Sequence, residues 1–209
     1  MIISQHGINS LPVGGDDNTV TIGGRDYPVV KIGSQLWLAE NLDWKFSGLI
    51  VGASGTSYSE LRGNYYNNDE STYGSTGNRY GILYNWPAVN YLAINSMLPP
   101  EWRVPTIQDY NALATAVGGN SVAGTKLKSS TGWSSGAGTD DYGFSAFPAG
   151  DFAYGSFNFV GTKAFFWTIT ENSGNYAYDM IFENNQAQMQ QSSSRRDILF
   201  SLRLVKDVI

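Results

Sequence analysis

The side chains of this chain best suited to acid–base work are its carboxylates: Glu40, Glu60, Asp69, Glu70, Asp140, Asp141, Asp151, Glu171, Asp179 and Glu183. A glycoside hydrolase would need two of them flanking one bond. No two stand at a spacing that marks such a pair. Asp140-Asp141 precede Gly143 in a glycine-rich turn, where acids commonly bond their own backbone. The one histidine, His6, lies in an N-terminal stretch rich in Gly, Asn and Asp. A histidine-dependent triad or a histidine-rich metal site is therefore nearly excluded. The chain has no cysteine, which removes disulfides, thiolate metal sites and thiol nucleophiles together. No Walker A loop occurs, and no GxGxxG follows a strand and opens a helix. Asn67, Asp69 and Glu70 could chelate calcium, but they lack the spacing of an EF-hand loop and read as a solvated loop. The expectation is a protein that is not an enzyme, with no catalytic residue, no metal and no cofactor.

The chemistry the chain does carry is that of recognition. Aromatic and glycine landmarks run through Gly143–Gly150, Ala164-Phe165-Phe166-Trp167-Thr168 and Phe200–Asp207. Between the last two lies a stretch dense in Asn, Gln, Ser and Tyr. Rigid aromatics supply contact area, and short amides and hydroxyls supply adaptable hydrogen bonds. Trp37, and Trp167 within its apolar run, read first as core residues.

What must position these residues follows from composition and pattern. Of 209 residues, 42% are hydrophobic, 14% aromatic and only 15% charged, with 24 glycines. That balance supports a real core and favours strands and loops over helices. Net charge is −5, and the only basic pair is Arg195-Arg196, so nucleic acid is an unfavourable partner. No apolar run approaches the ~20 residues that span a bilayer.

Residues 1–19 read as an N-terminal arm or extension, and 20–209 as a binding domain. Thr19–Ile22 and Tyr27–Ile32 flank Gly23-Gly24 as a β-hairpin. Ser34–Leu42 continues as a strand or a short turn of helix. Residues 47–79 read as one long loop, functional or disordered at that length. A strand leads into Tyr84, and a short helix starts at Pro87. The clearest helix spans 106–117. Thr106 is its N-cap, with Asp109 three residues on, an apolar face of Tyr110, Leu113, Ala114 and Val117, and Gly118-Gly119 as its end. From Lys126 onward the chain reads as loops and short strands. Within them Tyr176, Tyr178, Met180 and Phe182 alternate with Ala177, Asp179 and Ile181, as a two-faced strand does.

The segments Val30–Leu42, Gly81–Trp86, Pro100–Thr106, Leu127–Ser129 with Trp133, Gly143–Gly150, Phe166-Trp167 and Ser201–Asp207 occur in that order. Together they resemble the Fibrobacter succinogenes major paralogous domain, over about 20–207. The resemblance implies an α+β, C-type-lectin-like fold: small twisted antiparallel sheets, one or two flanking helices, long loops and chain ends brought together. It is more distantly similar to the formylglycine-generating sulfatase-modifying family, whose enzymes use a cysteine pair that this chain lacks. The Glu-Pro-Asn, Gln-Pro-Asp and Trp-Asn-Asp triplets of calcium-dependent lectins are also missing.

The C-terminal part further resembles the variable region of retroelement-diversified phage and bacterial proteins. In these a fixed Phe-Trp and Phe-Ser-x-Arg frame brackets an exposed binding face, and mutation acts at adenines. The resemblance implies contacts from Thr168, Thr170, Asn172, Asn175, Tyr176, Tyr178, Asp179, Asn184, Asn185, Ser192, Ser193, Asp197 and Ile198. Gln186, Gln188, Met189, Gln190 and Gln191 depart from it, since they do not arise from an Asn codon by adenine changes alone. The alternative is a fixed polar strand-and-loop face. On either view Tyr154, Trp167, Tyr176 and Tyr178 would offer stacking planes. Asn175, Asp179, Asn184, Asn185 and Gln190 would orient the ligand, and Arg195 and Arg196 would meet an acidic group.

The expected function is a phage or prophage tail-associated receptor-binding protein taking a cell-surface glycan or protein, free of any cofactor and able to gain avidity as a homo-oligomer such as a trimer. Its place would be the virion, or the cytoplasm before lysis, because Met1–Gly7 show no secretory pattern. The alternatives are a bacterial cell-surface or secreted adhesin whose signal peptide has been removed, and a carboxylate-dependent glycan hydrolase.

Overall fold

The computed structural model describes residues 18–52, 55–77 and 79–208. The reading of residues 1–17 as an arm, with His6 solvated, lies outside the described residues. Asn18 and Thr19, given to that arm, already belong to the first hairpin: the Asn18 carbonyl accepts from Val29 N at 2.8 Å.

In chain order the elements are β1 (Thr19–Ile22), β2 (Arg25–Ile32), β3 (Gln35–Leu38), β4 (Ile50–Val51), β5 (Arg62–Asn64), a 3-10 turn (Tyr66–Asn68), α1 (Glu70–Tyr73), β6 (Leu83–Asn85), α2 (Trp86–Ile94), α3 (Ile107–Ala116) and α4 (Asn120–Leu127). They continue with β7 (Asp151–Ala153), β8 (Ser156–Asn158), β9 (Lys163–Glu171), β10 (Tyr176–Glu183), β11 (Met189–Arg195), β12 (Leu199–Phe200) and β13 (Val205–Asp207). The strands form three sheets, ordered β1-β2-β3-β13, β11-β10-β9 and β4-β5-β6-β12-β7-β8. Among the described strands only β4 and β5 pair in parallel. The protein is thus a mixed α+β chain of mostly antiparallel sheets with few helices.

Local sequence explains the elements that were foreseen. Gly23 and Gly24 have φ of +59° and +83°, the two left-handed positions that a tight hairpin turn between β1 and β2 requires. A Cβ on Gly23 would stand 2.2 Å from the Trp44 ring. Asn85 caps α2 by accepting from Ala88 N, with Pro87 in the first turn. Thr106 and Asp109 form the reciprocal capping box of α3. Asp109 is a junction as well: it accepts from both Arg103 guanidinium nitrogens and from Gln35 Nε2, and Gln35 in turn accepts from Trp37 Nε1. Burial pulls the Asp109 carboxyl up, but the bonds from Arg103 and Thr106 outweigh it and hold the group below its ordinary pKa.

Two expectations need correction. Residues 47–79 are not one solvated loop. They hold β4, β5 and α1, and Tyr65 and Tyr66 are buried. Asp69 caps α1 through Thr72 N, and Glu70 pairs with Lys45. The second is α4, which lies where no helix was foreseen. Its buried face is short, made of Ala123, Gly124 and Leu127. Its place is set by contact: a Cβ on Gly124 would stand 2.5 Å from the Gln188 carbonyl oxygen. Only a bare backbone lets the helix lie that close to the chain entering β11.

The core falls into three clusters, and β9 divides two of them. Phe165 and Trp167 face the first, with Leu38, Tyr84, Trp86, Phe200 and Leu202. Ala164 and Phe166 face the second, with Trp37, Tyr110, Leu127, Phe144, Met180 and Phe182. A strand covered on both faces needs a continuous apolar run, and Ala164-Phe165-Phe166-Trp167 is one. Trp37 and Trp167 are fully buried. Trp167 donates its indole N–H to the Tyr84 carbonyl at 2.8 Å, so it offers no stacking plane to a ligand.

Arg203 closes this frame from inside. Its guanidinium is completely buried and donates to Asn41 Oδ1 at 2.8 Å and to the carbonyls of Leu38, Phe144 and Ser145 at 2.6 Å each. The Phe144 ring lies 4.7 Å away and the Phe166 ring 5.6 Å. No carboxylate among the described residues bonds it, and burial pushes its pKa down to about 9.

Candidate functional site

The polar C-terminal stretch folds back as the β10–β11 hairpin, with register from Tyr176↔Arg195 to Phe182↔Met189. Along β10, Ala177 and Ile181 pack toward the first core cluster, and Met180 and Phe182 toward the second. Full exposure is left to Tyr176 at the start of β10 and to the β11 edge, with Tyr178 half-buried between. On the β9 side the pairing jumps from Ala177↔Glu171 to Asp179↔Trp167. That bulge lets Thr168–Thr170 turn away from the ladder.

The sixteen residues expected to contact a ligand do not form one patch. The seven residue steps from Tyr176 to Glu183 span roughly 23 Å of strand at ~3.3 Å each. Asn184 and Asn185 lie beyond one end, with Gln190 close by on β11. Asn172, Asn175, Tyr176, Arg195 and Arg196 lie at the other. Tyr178, Ser192 and Ser193 are half-buried between them.

The turn end is held down. The Lys128 ammonium donates into a cage of carbonyls: Gly136 at 2.7 Å, Glu183 at 2.9 Å, Gln186 at 3.2 Å and Asn184 at 3.4 Å. The Trp133 ring lies 5.1 Å from it. Burial lowers the Lys128 pKa. Asn184 Nδ2 also donates to Ser135 Oγ at 2.9 Å, and Thr125 N donates to the Ala187 carbonyl at 3.0 Å.

Four expected contact residues are closed off from solvent. Thr168 donates to the Tyr178 carbonyl at 2.8 Å. Asp197 accepts from Arg195 and, at 2.8 Å, from Thr56 Oγ1. Ile198 packs in the first core cluster. Asp179 is fully buried, and neither of its carboxylate oxygens meets a donor at bonding distance. Burial raises its pKa to about 7, against a smaller opposing pull from Ser194. Thr170 is spent as well, since its hydroxyl oxygen accepts from Ile107 N at 3.2 Å.

The other end is open. Asn172 Nδ2 donates to Ser193 Oγ at 2.7 Å, Asn175 is exposed and Tyr176 is 45% exposed. Arg195 forms a two-pronged pair with Asp197, which holds the guanidinium above its ordinary pKa. The same guanidinium lies 5.5 Å from the Tyr58 ring and 5.2 Å from the Tyr154 ring. Arg196 donates to Glu171 and to the Tyr176 carbonyl, and lies 4.3 Å over the Trp86 ring. Both arginines already face a carboxylate.

Beside this end runs a groove of about 290 Å³ between residues 58–61 and the start of α2. Tyr58, Trp86, Asn90 and Arg196 line it. Sequence reasoning missed Tyr58, Trp86 and Asn90 as site residues. The available signal was the length of the 47–79 stretch and a tyrosine set between serines. Tyr154, which was named, is the most exposed large ring at 76%. A larger depression of about 460 Å³ lies between α2 and Pro99–Val104, and Ile169 reaches it from β9.

Architecture and surface thus define a mixed α+β protein that holds a polar hairpin on a buried aromatic frame. Residues 30–206 match the model of the Fibrobacter succinogenes major domain, and the chain belongs to that family. No curated protein and no solved structure matches the chain.

Proposed function

We propose that this is a non-enzymatic ligand-binding protein with a C-type-lectin-like fold, which recognises a cell-surface glycan or protein through the open end of its β10–β11 hairpin. The observation that carries the reading is the contrast between frame and face. Phe166, Trp167, Phe200, Leu202 and Arg203 are buried, while Asn175 and Tyr176 stand in solvent between them in sequence. A rigid frame lets the residues of the face change at little cost to folding. That is what a retroelement-diversified receptor-binding protein of a phage or prophage tail would need. A bacterial adhesin would use the same face.

The test is binding of fluorescent protein to a panel of bacterial cells, followed by Asn175→Ala with Tyr176→Ala. Binding should fall at least tenfold while the melting temperature stays within about 2 °C, as for surface substitutions generally. Unchanged binding in that variant, with loss in Asn185→Ala at the opposite end, would overturn the reading. Sequencing the gene across a source population tests diversification: an invariant 168–198 segment would remove it.

A further inference from the structure

We infer that the groove between residues 58–61 and α2 is a subsite for a neutral saccharide, with Tyr58 as the stacking platform on its wall and Tyr154 just outside it, both rings lying against Arg195. The inference rests on the reading of the chain as a binding protein and names the ligand class and the place. Three observations carry it.

The first is backbone strain at Tyr154. β7 and β8 are joined by Tyr154-Gly155, with φ of +53° and +81°. The first position of such a turn favours Asn, Asp or Gly, and a bulky aromatic there is costly. Its ring is not repaid by burial, being 76% exposed. Strain of this kind at an exposed side chain points to function.

The second is the arrangement of rings. Arg195 lies between Tyr58 and Tyr154, within 5.5 Å of both centroids. Both rings therefore lie within reach of a ligand that extends from the groove past Arg195. Tyr58 borders the groove and is 43% exposed. Flat aromatic faces with a polar edge suit the C–H faces and hydroxyls of a sugar ring.

The third is the balance of polar groups. Arg195 is neutralised by Asp197, and Arg196 by Glu171. The groove therefore presents hydrogen-bonding groups without a net positive charge, which favours a neutral ligand over an acidic one. The Asn90 amide lines the groove and makes no hydrogen bond to another described group. Arg196 spends Nε and Nη2 on the protein and keeps Nη1. An amide and a guanidinium N–H beside an aromatic wall are what orient hydroxyl groups. At about 290 Å³ the groove sits near the lower end of small-ligand pockets, the size for a terminal sugar rather than a long chain.

The experiment is an oligosaccharide array holding neutral hexose and N-acetylhexosamine glycans beside sialylated and uronate-bearing ones, with affinities then measured by titration NMR. Neutral glycans should bind. Tyr58→Ala, Asn90→Ala and Tyr154→Gly should each weaken them at least fivefold. Tyr154→Gly removes the strained residue, so its melting temperature should not fall and a folding defect cannot account for the loss. Binding of cells without binding of any saccharide overturns the subsite and leaves the binding reading intact. Preference for acidic glycans, or neutral binding indifferent to Tyr58→Ala and Asn90→Ala, also overturns the subsite. Saccharide binding in the groove with no cell bound, hairpin intact, overturns the cell-surface reading and keeps the subsite.

Discussion

Lys128→Met removes one ammonium and should loosen the closed end of the hairpin. The thioether chain keeps the apolar stem in place, so the change isolates the charge and its donors. An ammonium has three protons, and the three nearest carbonyls are those of Gly136, Glu183 and Gln186 at 2.7, 2.9 and 3.2 Å. Each carbonyl left unpaired costs about 1–3 kcal/mol. The variant recovers the desolvation of the buried ammonium, visible in the lowered Lys128 pKa, and relaxation admits some water. The net loss should be about 3 kcal/mol. For a chain of this size that is a fall in melting temperature of roughly 6–12 °C. Lys126→Met is the control, since that ammonium donates to the single Val117 carbonyl at 2.9 Å; it should cost about 1 kcal/mol. Calorimetry gives the melting temperatures, and amide hydrogen exchange should quicken at residues 183–190. A fall below about 2 °C, with exchange at those residues unchanged, would refute the assignment of the cage as the hairpin's anchor.

Asp179→Asn removes a buried titration at little change in shape. The folded pKa of Asp179 is raised to about 7, above the ordinary ~3.9, so its contribution to stability is fully present below pH ~4 and lost as pH rises toward 7. Asp151, raised to about 6 by burial, acts with the same sign. The asparagine variant should therefore show a shallower decline in melting temperature between pH 4 and 7; a slope equal to that of the parent would count against a titrating Asp179. Gly124→Ala should destabilise by about 1–3 kcal/mol, although alanine in a helix ordinarily gains about 1 kcal/mol over glycine, because its Cβ would meet the Gln188 carbonyl at 2.5 Å. A higher melting temperature would mean that α4 can shift off the hairpin freely. Arg203→Lys keeps a cation but loses the fork that reaches four acceptors, and should cost more than about 4 kcal/mol; a cooperative transition within a few degrees of the parent, followed by near-UV circular dichroism, would refute this.

Much of the frame could be read from the chain because its causes are local. Two glycines fix the first turn, Thr106 and Asp109 cap α3, and the doubly covered β9 spells itself as an unbroken apolar run. The family, too, is legible in segments that are mostly buried here. The site was less legible because its residues answer to distant partners. Thr168 and Asp179 look like contact residues by type, yet a bulge and the packing of Trp167 turn them inward. Asn184 and Asn175 are neighbours in composition and lie at opposite ends of one hairpin. Lys128 carries no local mark of its role, since its four acceptors come from residues 136 and 183–186. Helix α4 has only a short buried face and is placed by a backbone approach, so periodicity gave no warning of it.

The Arg203 guanidinium also sets a clock for the nascent chain. It bonds the Leu38 carbonyl across 165 residues, and β13 must pair with β3 to finish the first sheet. At synthesis rates of about 5–20 residues per second, β3 leaves the ribosome roughly 8–33 s before its partner β13 exists. In that interval the β3 edge that β13 will cover is open. The first sheet is therefore finished only once residues 205–207 have left the ribosome, and a chain stalled before them holds β1, β2 and β3 without their fourth strand.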